Sequence, residues 1–210
     1  MSKPNTDLIP RQVLFGNAEK DLPCLSPDGT RLSYISPVNG VLNLWVGPTN
    51  NPSAARPITH DNGSGIRTYV WAYTNEHLLY LHDKYGNENW QLSSVSLDTG
   101  HLVDLTAAEA THTEIIHTSP KFPDEAVVSI NDRVPEYQDL YRINIRTGER
   151  SLIQRNDAFE YILTDDDFQA RIAYKFTSGG GGELFQYDKK GNWHSFTKVN
   201  LIDSVTTRPI

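Results

Sequence analysis

Ser26-Pro27-Asp28-Gly29-Thr30-Arg31-Leu32-Ser33-Tyr34-Ile35-Ser36 opens on a turn and runs on into a strand. Proline presets φ for a tight turn, and glycine accepts the positive φ on which such a turn closes. From Arg31 to Ser36 polar and apolar residues alternate with period two, the mark of a half-buried strand. Val38-Asn39-Gly40 turns the chain again. Leu42 to Val46 then reads as a third strand and Arg56 to Thr59 as a fourth, with Cys24-Leu25-Ser26 as the first.

This unit recurs. Arg31–Ile35, His77–Leu81, Ala126–Ile130 and Arg171–Lys175 are alike and register on Tyr34, Tyr80, Ser129 and Tyr174. The steps between those positions are 46, 49 and 45 residues. A second apolar-aromatic landmark follows each, at Leu44-Trp45, Trp90-Gln91, Leu140-Tyr141 and Leu184-Phe185. Turn signals come next, at Thr49–Asn51, Asp98–Gly100, Arg146–Gly148 and Lys189–Asn192, and a short apolar segment closes each repeat. Four short strands in a period of about 45 residues spell a β-propeller blade. One four-stranded sheet has two apolar faces, and stacking blades around an axis covers both. The blades are expected at about 24–59, 70–106, 117–153 and 162–197, after a lead-in over 1–23, with the propeller over 24–210. Leu201 to Thr207 reads as the start of a fifth, so the expected fold is all-β, an incomplete ring. Leu105 to Glu114 is the best short helical candidate and reads as a connection between repeats.

Composition narrows the classes. There are 19 Lys+Arg against 26 Asp+Glu, a net charge of −7, which argues against a chain-wide nucleic-acid or anionic-membrane surface. One cysteine, Cys24, permits no internal disulfide and no Cys-based zinc site; it reads as a small core residue. No apolar run nears the roughly 18 residues of a membrane span. Met1 to Asp7 lacks the apolar core of a secretory signal, so the expected location is cytoplasmic.

The repeats carry a family resemblance. Ser26-Pro-Asp-Gly resembles the blade turn of TolB-like and prolyl-oligopeptidase-type propellers. Leu8–Asn17, Asp83-Lys-Tyr-Gly-Asn-Glu-Asn-Trp-Gln-Leu92, Pro120–Glu125 and Asn131–Ile143 resemble dipeptidyl aminopeptidase/acylaminoacyl peptidase-like proteins of the prolyl oligopeptidase (S9) family. The resemblance covers about Leu8 to Phe176. It implies a serine peptidase in which an N-terminal propeller gates peptide access to a C-terminal α/β-hydrolase domain carrying a Ser-Asp-His triad. It implies no cofactor. No G-x-S-x-G elbow occurs here; Asn62-Gly-Ser-Gly-Ile66 is the nearest string and lies between repeats. No residue inherits a catalytic role, and the hydrolase domain is expected to be absent from this chain.

Other candidates are weighed against plainer readings. His112-Thr-Glu-Ile-Ile-His117 has the wrong spacing for a zincin helix and sits in an expected connection. Asp165-Asp166-Asp167 could ligate calcium, but the preferred reading aligns Thr164-Asp-Asp-Asp with the Ser26 turn. Gly179 to Gly182 lacks the Lys-Ser/Thr of a phosphate loop and reads as a hairpin. Asp83, Glu88, Asn89 and Trp90 form a polar-aromatic cluster; the preferred reading is that Glu88 and Asn89 satisfy a bend while Trp90 fills space between blades. Arg133, Glu136 and Asp139 lie together in the third repeat, and Glu136 is the one candidate substrate contact, because the resemblance brings in a related exopeptidase group that holds the substrate's free amine with propeller carboxylates. Two further classes stay open: a free-standing TolB-like propeller binding a protein or peptide, and a propeller glycosidase with inward carboxylates. The gated peptidase is the favoured reading.

Overall fold

A computed structural model describes residues 9–16, 18–106, 111–204 and 206–207. After a short helix, Arg11–Phe15, the strands fall into four antiparallel meanders of four. Blade 1 is β1 (Asp21–Leu25), β2 (Arg31–Val38), β3 (Val41–Pro48) and β4 (Arg56–Pro57). Blade 2 is β5 (Thr68–Trp71), β6 (His77–His82), β7 (Gln91–Ser96) and β8 (Leu102–Asp104). Blade 3 is β9 (Thr113–Thr118), β10 (Glu125–Val134), β11 (Tyr137–Asn144) and β12 (Arg150–Gln154). Blade 4 is β13 (Tyr161–Thr164), β14 (Ala170–Phe176), β15 (Gly182–Tyr187) and β16 (Trp193–Val199). The fold is the all-β propeller array that the repeats spell out. Among the described residues no sheet mixes strands from the two ends of the array.

Period-two alternation sorts side chains between neighbours. On β6, Leu78 and Tyr80 join the cluster shared with Ile35, Leu44 and Val46 of blade 1. Leu79 and Leu81, one residue out of phase, join Ala126, Val128, Ile130 and Ile143 of blade 3. On β10, Val127 turns the other way, to Ile162, Phe168 and Ala173 of blade 4. Each interface is built around an apolar cluster, and the one between blades 1 and 2 also holds buried hydrogen bonds, with Ser33 Oγ 2.8 Å from Trp71 Nε1 and 3.0 Å from the Tyr69 hydroxyl. The first and last faces bear aromatic pairs instead: Tyr34 stacks on Trp45, with centroids 6.3 Å apart, and Tyr161 on Tyr174, 5.1 Å apart.

The Ser26 turn recurs in backbone form more faithfully than in sequence. Gly29 N–H donates to the Ser26 carbonyl, Asn75 to Ala72, Phe122 to Ser119 and Phe168 to Asp165. Asp165, not Thr164, therefore takes Ser26's place, and the expected alignment shifts by one residue. Phe168 adopts φ 58° where the first blade has Gly29 at φ 72°.

Three other expectations change. His112–His117 is not a connection between blades, because Thr113–Thr118 is the first strand of blade 3. The helical candidate Leu105–Glu114 is divided: Leu105 extends the outer edge of blade 2 by bonding Leu92, Thr113 and Glu114 belong to β9, and 107–110 lie outside the described residues. Cys24 is exposed rather than a core residue, since every residue of β1 is exposed. The described residues of 201–207 form turns, with Thr207 N–H bonding the Asp203 carbonyl.

Candidate functional site

A meander puts alternate turns at the same end of its sheet. The β2–β3, β6–β7, β10–β11 and β14–β15 hairpins therefore share one face of the array with the connections between blades. That face holds most of the residues singled out from sequence.

The β6–β7 loop, 83–90, is bent through positive φ at Tyr85 (61°), Gly86 (74°) and Glu88 (59°). Asp83 is 6% exposed, and its Oδ2 accepts the Glu88 N–H at 3.0 Å. Its Oδ1 is buried without a partner. Asn87 Oδ1 accepts the Asn89 N–H at 3.0 Å. The bend is thus satisfied by the side chains of Asp83 and Asn87, not by those of Glu88 and Asn89. Trp90 does pack into the cluster between blades 2 and 3. Its carbonyl accepts the Thr113 N–H at 2.9 Å, tying the loop to β9.

His112 stands beside that tie. Its Nδ1 lies 3.2 Å from the Glu88 carbonyl and its Nε2 3.5 Å from Glu114. Glu114, and then the Glu88 carbonyl, outweigh burial and hold its pKa above the ordinary value. His117 faces the other neighbour, with Nε2 2.9 Å from Asp166. The two histidines serve different blades and share no ligand geometry. The acidic run is taken up by neighbouring side chains: Asp165 pairs with Arg171 at 2.6 Å, Asp166 bonds His117, and Asp167 pairs with Lys121 at 2.7 Å. Among the described residues, no group of three or more His, Cys, Asp or Glu is placed to hold a metal ion.

Arg133 and Asp139 are consumed by each other, through bonds of 2.7 and 2.8 Å. Asp139 also accepts the Asn156 N–H at 2.7 Å, and Arg133 donates to the Asn156 carbonyl at 2.6 Å. Burial works to raise the Asp139 pKa, yet Arg133 and the Asn156 N–H prevail and hold it below the usual value. This network fixes the β10–β11 hairpin to the connection leading to blade 4. Glu136 stands apart, exposed at the hairpin tip beside Pro135.

Gly179–Gly182 forms the expected β14–β15 hairpin, with Thr177 N–H on the Gly181 carbonyl at 2.9 Å and Gly180 at φ 80°. Gly65, in the string nearest to a nucleophile elbow, packs on β3: an added Cβ would sit 3.1 Å from the Leu42 nitrogen.

Sequence reading missed one constellation, because its members lie on three strands. His82 Nε2 lies 2.9 Å from Ser93 Oγ, which donates to Asp104 Oδ1 at 2.8 Å. These are the residue types of a hydrolytic triad, in the wrong order. A triad needs histidine between serine and carboxylate, so that the imidazole takes the serine proton. Here serine is in the middle. The group braces blade 2 beside a crevice of about 320 Å³ that Tyr80, His60 and Asp61 also line.

No family model matches the chain. Dipeptidyl aminopeptidase BIII from Pseudoxanthomonas mexicana is 38% identical over 205 residues, covering 97% of this chain and 30% of that protein. The β-propeller domain of the Trilobed protease from Pyrococcus furiosus superposes with a TM-score of 0.60 at 17% identity, covering 85% of this chain and 56% of that one. The Pyrococcus horikoshii acylaminoacyl peptidase superposes at 0.57 with 15% identity, over 84% of this chain and 32% of that one. This chain is a propeller portion of the prolyl oligopeptidase family. The prolyl oligopeptidase-family propeller spans 30% of the length of its curated relative. Likeness to the solved structures, below 25% identity, speaks for the fold alone. The family strings noticed in sequence, 83–92 and 131–143, fall on the β6–β7 and β10–β11 hairpins, on one face of this propeller.

Proposed function

We propose that this propeller is the access-limiting portion of a dipeptidyl aminopeptidase whose α/β-hydrolase domain lies outside these 210 residues. One observation carries the reading: a protein named as a dipeptidyl aminopeptidase matches along 97% of the chain while the match fills 30% of its own length. The inverted order of His82, Ser93 and Asp104 is in keeping with it, since that group is arranged for bracing. A propeller gates by size. Its hairpin face offers a fixed rim, and peptides short and flexible enough to pass would reach a serine beyond it. Glu136, exposed on that rim, is the proposed contact for a substrate amine.

The test compares two proteins. The isolated chain should hydrolyse no dipeptidyl arylamide and take up no fluorophosphonate serine probe. The chain joined to a hydrolase domain of the family should do both, and cleave short peptides in preference to folded proteins. Turnover by the isolated chain that survives removal of contaminants would overturn the proposal. So would a joined protein that digests folded substrates as fast as peptides.

A further inference from the structure

On the opposite face, a crevice of about 350 Å³ opens between blades 2 and 3, lined by His77, Ser94, Ser96, Thr99, His101 and Arg146 above apolar walls of Val103 and Ile145. No carboxylate lines it, although the chain as a whole carries a charge of −7. Its hydroxyls are arranged as donors. Ser96 Oγ accepts the Thr99 N–H at 3.5 Å, and Thr99 Oγ1 accepts the His101 N–H at 3.2 Å. Each hydroxyl proton is left to point elsewhere. Ser94 is 1% exposed and lines the crevice. Arg146 is anchored at Nε by Asp124, 2.7 Å away, while its Nη1 reaches into the crevice to within 3.4 Å of His77 Nε2. A guanidinium nitrogen can only donate, so His77 Nε2 accepts, and its Nδ1–H faces Thr74 Oγ1 at 3.1 Å. Burial and then Arg146 hold His77 below the ordinary histidine value, and Glu76, Asp124 and Asp98 only partly offset them.

We propose that this crevice binds a phosphoryl group. Three hydroxyls, a guanidinium and the exposed imidazole of His101 line one crevice, more donors than the two oxygens of a carboxylate can satisfy. A phosphoryl group presents three terminal oxygens, and arginine is suited to them. The apolar walls of Val103 and Ile145 lower the polarity around these bonds and so strengthen them. The site lies away from the hairpin face, so it stands or falls independently of the peptidase reading.

Calorimetric titration of the 210-residue chain at constant ionic strength tests it, with inorganic phosphate, phenyl phosphate and acetate as separate probes. Phosphate should bind saturably at one site, and phenyl phosphate should bind as well if the natural ligand is a monoester rather than the free ion. Arg146→Gln should weaken binding about tenfold or more. Asp124 is half exposed, so losing its partner leaves no buried charge. His101→Ala, at an exposed position, should weaken binding several-fold with an unchanged melting curve, which keeps the test intact if the arginine variant misfolds. No saturable binding up to about 20 mM phosphate would overturn the proposal. Acetate binding as tightly as phosphate, or affinity indifferent to both substitutions, would also overturn it.

Discussion

Arg133 grips Asp139 through two parallel bonds, Nε to Oδ2 at 2.7 Å and Nη2 to Oδ1 at 2.8 Å, at the stem of the β10–β11 hairpin. The pair is asymmetric: the Asp139 side chain is 2% exposed and that of Arg133 26%. Removing the cation strands a buried carboxylate, whereas removing the carboxylate leaves a cation that water can reach. Arg133→Met should therefore destabilise the fold more than Asp139→Asn does. Urea denaturation of both variants measures the difference, and the reverse order would refute the asymmetry.

The same pair sets an acid limit. The Asp139 pKa is depressed in the folded state, so its contribution is present above the unfolded aspartate value of about 3.9 and is lost as pH falls through the folded value. Stability measured from pH 6 downward should fall less steeply below about pH 4 in Asp139→Asn than in the parent. Parallel curves would show that other carboxylates govern acid unfolding.

Glu136, three residues from Asp139, belongs to a different category. At the exposed tip it supports nothing in the fold, so Glu136→Gln should shift stability by no more than about 0.5 kcal/mol. If it holds a substrate amine, the same change lowers kcat/KM for dipeptidyl arylamides in the joined enzyme and leaves melting untouched. Unchanged kcat/KM would remove Glu136 from the rim's function.

Gly182 lies inside β15 beneath Tyr174, where an added Cβ would come within 2.3 Å of the ring. Gly179, at the start of the same run, has nothing within 4 Å. Gly182→Ala should cost about 1–3 kcal/mol or more by overpacking, and Gly179→Ala close to nothing. Thermal melts of the two variants distinguish a run of glycines kept for flexibility from one kept for a close approach; equal shifts would favour flexibility.

Those two glycines also mark how far the sequence could be read. Tyr34, Tyr80 and Tyr174 announced the blades because an inward-outward alternation repeats wherever a sheet is covered on both faces. Leu78 and Leu79 then fall to opposite neighbours with no further information needed. Contacts made across the pleat were not legible. Nothing near Gly182 in the chain shows that Tyr174 lies over it, and nothing near Ser93 announces His82 on one side and Asp104 on the other. Cys24 was misread for a related reason. An apolar-looking first strand is buried only if something covers it, and β1 is exposed throughout. The Phe168 turn shows the opposite limit, because a backbone form set by the sheet persists where its proline and glycine are gone.

Leu79 is fully buried between blades 2 and 3, while Leu102 on the outer strand of blade 2 is 49% exposed. Leu79→Ala should cost about 2–5 kcal/mol, and Leu102→Ala well under half of that. Because the cavity would open at a seam, Leu79→Ala should also speed amide exchange in both β6 and β10. Exchange that rises only in β6 would mean that the blades open independently.

His112 should make the loop 83–90 sensitive to pH. Its Nδ1 faces the Glu88 carbonyl at 3.2 Å and its Nε2 faces Glu114 at 3.5 Å, two acceptors on two blades. A neutral imidazole has one N–H and can serve only one of them; the imidazolium serves both. The folded pKa is raised, so this stabilisation is fully present below the unfolded histidine value of about 6.5 and is lost as pH rises through the folded value. The amides of residues 84–88, in a loop already held at positive φ, should therefore exchange faster on the alkaline side of the His112 titration than intrinsic exchange accounts for. Glu114→Gln removes the first cause of the raised pKa and should move the His112 titration, followed by proton NMR, toward the ordinary value. The onset of loop opening should move with it to lower pH. If the titration shifts and the loop does not follow, the Glu88 contact is incidental, and the bonds of Thr113 to the Trp90 carbonyl and to Thr106 Oγ1 tie blade 2 to blade 3 at this face without it.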